Sequence, residues 1–154
     1  MEGSQLVVAT DGSPAATAAV EHALKLAAAM NAPVMFVHAS AALADELYAA
    51  YPEDGPPRAE VLERDPVLQH AAERAAAAGV SAEVKLISDA HANTADLAAT
   101  IAGIAEGAGA AMIVVGSRGR SPIAGGILGS VSHNLIQWAS VPVLVVNAPG
   151  HGAH

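Results

Sequence analysis

At 154 residues the chain is long enough for one well-cored domain, and its net charge of −8 with 3 % aromatics excludes a general nucleic-acid or anionic-membrane binder. It contains no cysteine, which excludes disulfides, a thiol nucleophile and a zinc–thiolate centre. With no leader-like N-terminal stretch and no apolar run near the roughly 18 residues of a membrane span, the cytoplasm is the expected setting.

Gln5 to Thr10, QLVVAT, reads as a buried strand. Asp11-Gly12-Ser13-Pro14 follows, with Ser13 suited to an N-cap and Pro14 to the first helical position, where a missing N–H costs nothing. The helix runs to about Met30, with Ala16, Val20, Ala23, Leu24 and Ala27 inward, and Asn31 ends it. Pro33 to His38 is the second strand, which completes a parallel βαβ unit. Ala39 to Pro66 is the least regular part, with seven acidic residues (Asp45, Glu46, Glu53, Asp54, Glu60, Glu63, Asp65) and three prolines before Pro66 (Pro52, Pro56, Pro57). Ala41 to Tyr51 is compatible with a short helix; the rest is expected to be an exposed acidic loop, a candidate flap over the site.

Val67 to Ala78 is helical and Gly79 caps it. Val80 to Ile87 is the third strand, and Ser88 to Asn93 a loop. Thr94 N-caps a helix over Ala95 to Glu106 that turns Leu97, Ile101 and Ile104 inward. Met112 to Val115 is the fourth strand, Ser130 to Ala139 the last helix and Val141 to Val146 the fifth strand. Alternation along the whole chain predicts a doubly wound α/β fold, a five-stranded mostly parallel sheet with helices on both faces. The domain is expected over 1–148, with 149–154 as a flexible tail. If strands one and four are central neighbours, the ligand crevice lies between Thr10-Asp11-Gly12 and Gly116-Arg118.

The stretch from Gly116 to Ser132, GSRGRSPIAGGILGSVS, is where chemistry is expected. A buried strand stops at a glycine, a glycine-rich loop follows, and a helix starts, so bare N–H groups and a helix N-terminus face one place. From Leu86 onward the only cations are Arg118 and Arg120, both in this loop. Each is a candidate partner for an anion or a solvated loop cation. Gly119 would let backbone approach a phosphate without a Cβ in the way. Ser130 is either a phosphate contact or a simple N-cap, roles that can coexist. Asp11 is a candidate to bond a nucleoside, to hold Mg²⁺ through water, or merely to cap the turn before Ser13. The loop lacks Gly-Lys-Ser/Thr, so it is no P-loop, and no G-x-S-x-G elbow or paired metal-ligating histidines occur. His38, at a strand end, either lines the crevice or is a satisfied strand-end histidine.

The order G-x2-G-x9-G-S, at Gly116, Gly119, Gly129 and Ser130, together with VVATDGSPAATAAVEHALKLA, PVMFVHA, MIVVGSRG and GSVSHNLIQWASVPVLVV, resembles the universal stress protein family over nearly the whole chain. The glycine pattern is similar to that of the family's ATP-binding branch. The resemblance implies a Rossmann-like sheet of the adenine nucleotide alpha hydrolase-like kind. It implies that Gly116, Gly119, Gly129, Ser130, Val131 and Ser132 hold ribose and phosphates, with Asp11 and Val37 near the adenosine. Thr10 and Arg118 belong to the same expected site. Ala110-Ala111 depart from the acidic residue that often precedes strand four in the family, and the 39–66 segment matches nothing in it.

Three functions compete: a regulatory protein that binds ATP, with or without Mg²⁺ and with AMP or cyclic AMP as alternatives; a weak ATPase or nucleotide transferase; and a stress-induced interaction protein with no nucleotide. Missing P-loop lysine, general base and metal-ligand cluster weigh against an enzyme. An apolar edge strand, Val141 to Val146, predicts a homodimer. No nucleic-acid or membrane partner is expected.

Overall fold

A computed structural model describes residues 4–88, 94–118 and 129–149. The elements are β1 (Leu6–Ala9), α1 (Pro14–Met30), β2 (Val34–Ala39), α2 (Ala41–Ala50), α3 (Arg58–Arg64), α4 (Pro66–Ala77), β3 (Ala82–Ile87), α5 (Thr94–Gly107), β4 (Met112–Gly116), α6 (Ser130–Trp138) and β5 (Val143–Val146). The strands form one sheet in the order β3-β2-β1-β4-β5, and every pairing is parallel. The doubly wound five-stranded reading holds, and β1 and β4 are central neighbours, with Leu6 beside Met112 and Ala9 beside Val115.

Strand side chains alternate between two cores, as a pleated sheet requires. Leu6, Val8, Val34, Phe36 and Val114 face α1, α2, α3 and α4, while Val7, Ala9, Val37, Ile113 and Val115 face α5 and α6. Burial on both faces explains why these strands are continuous apolar runs rather than alternating ones. Helix α1 buries Ala15, Ala16, Ala19, Val20, Ala23, Leu24 and Ala27. Its alanines set a close approach to the sheet, and Val20 and Leu24 supply most of the apolar burial, about 1.5–3 kcal/mol each. Ser13 caps α1 by accepting from the Ala16 N–H, and Asn31 closes it in the left-handed region at φ 55.

Two expectations fail in the 39–66 segment. Arg58–Arg64 is helical, with Glu60 in its first turn and Arg64 in its last, both matched to the helix dipole. Val61 is the residue that docks it, buried against the α1 face. Residues 51–54 and 57–59 are exposed, as expected, but from Arg58 the segment is a helix packed through Val61 rather than a loop. It is also no flap, because Ala44, Leu47 and Val61 join the core on the α1 face and no residue from 40 to 66 lines the cavity described below. Asp65, counted among the solvated acids, is 2 % exposed and caps α4, its Oδ1 accepting from the Val67 and Leu68 N–H groups. The side chain of Thr94, expected to cap α5, and the tail from Gly150 lie outside what the structure describes.

Candidate functional site

The chain leaves β1 towards α1 on one face of the sheet and leaves β4 towards α6 on the other. A crevice has to open where adjacent strands part in this way. It is a cavity of about 310 Å³, within the usual range of small-molecule sites. Its polar wall is Thr10, Asp11, Arg118 and the start of α6, from Gly129 to Ser132. Its apolar wall is Val37, Ala39, Ile87, Leu97, Ile101 and Val115, with Ala9, Ala16, His38 and Gly116 completing the lining.

Local bonds fix the polar wall. Thr10 Oγ1 accepts from the Gly12 N–H at 3.3 Å and Asp11 Oδ1 from the Ser13 N–H at 2.9 Å, with Gly12 at φ 79. The turn-capping role considered for Asp11 is thus present and occupies Oδ1. Ser13 Oγ donates to the Arg118 carbonyl at 3.4 Å, which ties the β1 turn to the β4 turn. Gly116 is needed for space rather than for conformation. A Cβ there would lie 2.7 Å from both Ala15 C and Ala16 N, so its absence lets α1 cross directly against the end of β4.

The Ser117 carbonyl joins β4 to α6, accepting from the Gly129 N–H at 2.7 Å and from Ser132 Oγ at 3.1 Å. Ser132 is buried, and its hydroxyl also lies 3.0 Å from the Gly129 carbonyl. Gly129, not Ser130, is the N-cap: it sits at φ −66, ψ 159, and its carbonyl accepts the first helical N–H, from His133, at 2.9 Å. Ser130 is exposed at the first helical position, which frees its hydroxyl from capping. The N–H groups of Ser130, Val131 and Ser132 are in the first turn, where a helix offers no acceptor. They lie at the positive end of the helix dipole, on the cavity wall.

Of the residues singled out in the sequence, Thr10, Asp11, Val37, Gly116, Arg118, Gly129, Ser130, Val131 and Ser132 line this one cavity. Gly119 and Arg120 lie outside the described residues. Apart from Val37, sequence reasoning did not assign the apolar wall to the site. Its signals were available: Leu97 and Ile101 are one helical turn apart on the inward face of α5, and Ile87 and Val115 sit in register with Ala39 and Ala9 at the strand ends. His38 lines the cavity and is also bonded, its Nδ1 2.7 Å from Asp65 Oδ2. Among the described residues no group of His, Cys, Asp or Glu is arranged to hold a metal ion, and no helix is long and apolar enough to cross a membrane.

Comparison with known proteins agrees with this architecture. The model of the universal stress protein family matches residues 4–147. The chain is 33 % identical to universal stress protein YxiE of Bacillus subtilis, covering 93 % of this chain and 98 % of that protein. It is 30 % identical to a universal stress protein of Mycolicibacterium smegmatis, covering 97 % of this chain but only 50 % of that one. Among solved structures, a universal stress protein in complex with cAMP superposes with a TM-score of 0.65 at 31 % identity, over 94 % of this chain and 97 % of that one. One from Archaeoglobus fulgidus superposes at 0.67 with 25 % identity, over 95 % and 99 % of the two chains. The sheet order, the cavity at the strand ends and these matches lead to one conclusion: the chain belongs to the universal stress protein family.

Proposed function

We propose that this protein binds ATP in the cavity between β1 and β4 as a regulatory nucleotide, with slow or no hydrolysis. The observation that carries the reading is the pairing of two walls in one cavity: an apolar slot that suits a purine, and the first turn of α6 with Arg118 that suits phosphates. A charge-assisted bond from Arg118 would contribute about 1.5–3 kcal/mol. A structural relative at 31 % identity is a complex with cAMP, which supports an adenine nucleotide as the ligand class. Asp11 is the residue that would hold Mg²⁺ through water beside the phosphates. Against fast hydrolysis stands the lack of a metal-ligand cluster among the described residues.

Calorimetric titration with ATP, AMP and cAMP tests the reading: no heat at hundreds of micromolar of any of them would overturn it. Single-turnover hydrolysis with Mg²⁺ distinguishes a sensor from a slow ATPase. Ser130→Ala, on an exposed hydroxyl that caps nothing, is expected to weaken ATP and leave the melting temperature unchanged. We also propose a homodimer through β5. It pairs on one side only, Val143, Leu144 and Val145 are half-buried, and Ile136 and Trp138 stand exposed on the adjoining α6.

A further inference from the structure

We infer that Ser132 is a positioning residue for the phosphate end of this cavity: its hydroxyl fastens the first turn of α6 to the exit of β4 and gives no hydrogen to the ligand. The inference rests on the nucleotide reading above and deepens it, since it assigns the side chain that sets the phosphate-binding turn.

A serine hydroxyl has one hydrogen to donate. Ser132 is 2 % exposed, and its Oγ lies 3.1 Å from the Ser117 carbonyl and 3.0 Å from the Gly129 carbonyl. Both of these neighbours only accept, so the hydrogen is used inside the protein whichever carbonyl takes it. Phosphate oxygens are acceptors as well. The side chain therefore has nothing to offer a phosphate while this clasp is closed.

Ser117 is the fixed point of the clasp. Its N–H donates to the Val146 carbonyl at 2.8 Å, which anchors it to the sheet at the end of β5. Its carbonyl receives the Gly129 N–H at 2.7 Å as well as the Ser132 hydroxyl. Ser117 is where the chain leaves β4, and Gly129 is where it enters α6. The two bonds thus hold the helix start against the strand end next to Arg118, the other group proposed for the phosphates.

Fastening a helix start through carbonyls has a consequence for its donors. An Asp, Asn or Ser at the N-cap stabilises a helix by accepting from its second or third N–H. Those are the same N–H groups that an anion needs. In α6 the N-cap is glycine, and no side chain caps the helix. The Ser132 hydroxyl holds the turn by donating to carbonyls, so no cap consumes the N–H groups of Val131 and Ser132.

The test uses the full chain and the variants Ser132→Ala and Ser132→Thr. Alanine removes the hydroxyl, but each carbonyl keeps a backbone donor, the Gly129 N–H on Ser117 and the His133 N–H on Gly129, so the fold is expected to persist. Threonine keeps a hydroxyl able to bond a carbonyl one turn back. Two quantities are read: hydrogen exchange at the Gly129 amide without nucleotide, and affinity for ATP and for adenosine, which has no phosphate. Ser132→Ala is expected to speed Gly129 exchange and to weaken ATP, each about 3- to 10-fold, the range of one hydrogen bond, with adenosine affinity unchanged. Ser132→Thr is expected to return both quantities to wild type. A weaker ATP complex with unchanged Gly129 exchange would make the hydroxyl a direct ligand contact and overturn the inference. Unchanged ATP affinity, or equal losses for ATP and adenosine, would leave the hydroxyl a purely structural group and overturn it too, while the nucleotide reading stands. Should Ser132→Ala not fold, Ser132→Cys, similar in size but a weak donor, is read against the same outcomes. If wild type binds neither ATP nor adenosine, the nucleotide reading falls and the inference with it.

Discussion

Gly116→Ala and Gly103→Ala are the same chemical change, and the structure assigns them opposite signs. At Gly116 an added Cβ would meet Ala15 C and Ala16 N at 2.7 Å and Ala15 Cβ at 3.0 Å. Ordinary contact begins near 3.4 Å, so α1 has to retreat by roughly 0.7 Å or β4 has to bend. The obstructing atoms at 2.7 Å are backbone in a capped helix and cannot rotate away. Overpacking of this kind costs about 1–3 kcal/mol, offset by about 0.4–1 kcal/mol from the stiffer unfolded chain. The net loss centres on about 1.3 kcal/mol, a fall of roughly 3–5 °C in melting temperature for a chain of this size. Gly103 lies on the exposed side of α5 with nothing within 4 Å of the added atom. There alanine gains helix propensity and stabilises by about 0.5–1 kcal/mol, a rise of roughly 1–4 °C. Calorimetric melting of both variants beside wild type decides the matter. An unchanged or higher melting temperature for Gly116→Ala would refute the argument that this glycine exists to admit α1.

Other expectations follow from single contacts. Asp65→Ala removes two cap bonds and the His38 partner, and is expected to cost about 2–3 kcal/mol in urea unfolding with an unchanged slope; a loss below about 0.5 kcal/mol would mean that water replaces the carboxylate at no cost. The Glu21 carboxyl is held below its ordinary value chiefly by the bidentate hydrogen bond from Arg74. A lowered folded value contributes stability above the unfolded value of 4.5 that is lost as pH falls through the folded one. Glu21→Gln is therefore expected to lower stability slightly at neutral pH, with the difference from wild type vanishing in acid and shrinking in high salt because both side chains are over a third exposed. A difference that persists unchanged in acid contradicts this sign. Sedimentation at micromolar concentration is expected to give about twice the 15.3 kDa chain mass, and a 15.3 kDa species would exclude the β5 dimer.

What the sequence made legible was whatever a local rule encodes. The strands β1 and β4 are short β-branched runs ended by polar or glycine residues, and α1 begins with Ser-Pro, a cap followed by the residue best suited to the first turn. Asp65-Pro66 carries the same signal and opens α4 in the same way, but it was masked by the acidic residues around it. Helix α3 was hidden for a different reason. Only Val61 is fully buried in it, so it has too little apolar periodicity to register, and its position depends on packing against the α1 face. Ser130 attracted the capping role because hydroxyls usually take it; the extended backbone at Gly129 placed the helix start one residue earlier. The space at Gly116 and the His38–Asp65 bond are tertiary facts, set by how α1 and α4 lie on the sheet. No spacing rule within one element reaches across 27 residues, or from residue 15 to residue 116.

The sheet order also has a consequence for biosynthesis. β1 is the middle strand, with one flank joined to β2 by Leu6 beside Val34 and the other to β4 by Leu6 beside Met112. A ribosome adding about 5–20 residues per second supplies the first partner within seconds but the second only roughly five to twenty seconds after β1. During that interval the nascent chain carries an open strand flank of Leu6, Val7, Val8 and Ala9, an adhesive surface for other unfinished chains. Premature termination anywhere before residue 112 would make that flank permanent, so truncated products of this gene are expected to be substrates for chaperones and proteases rather than partly working molecules.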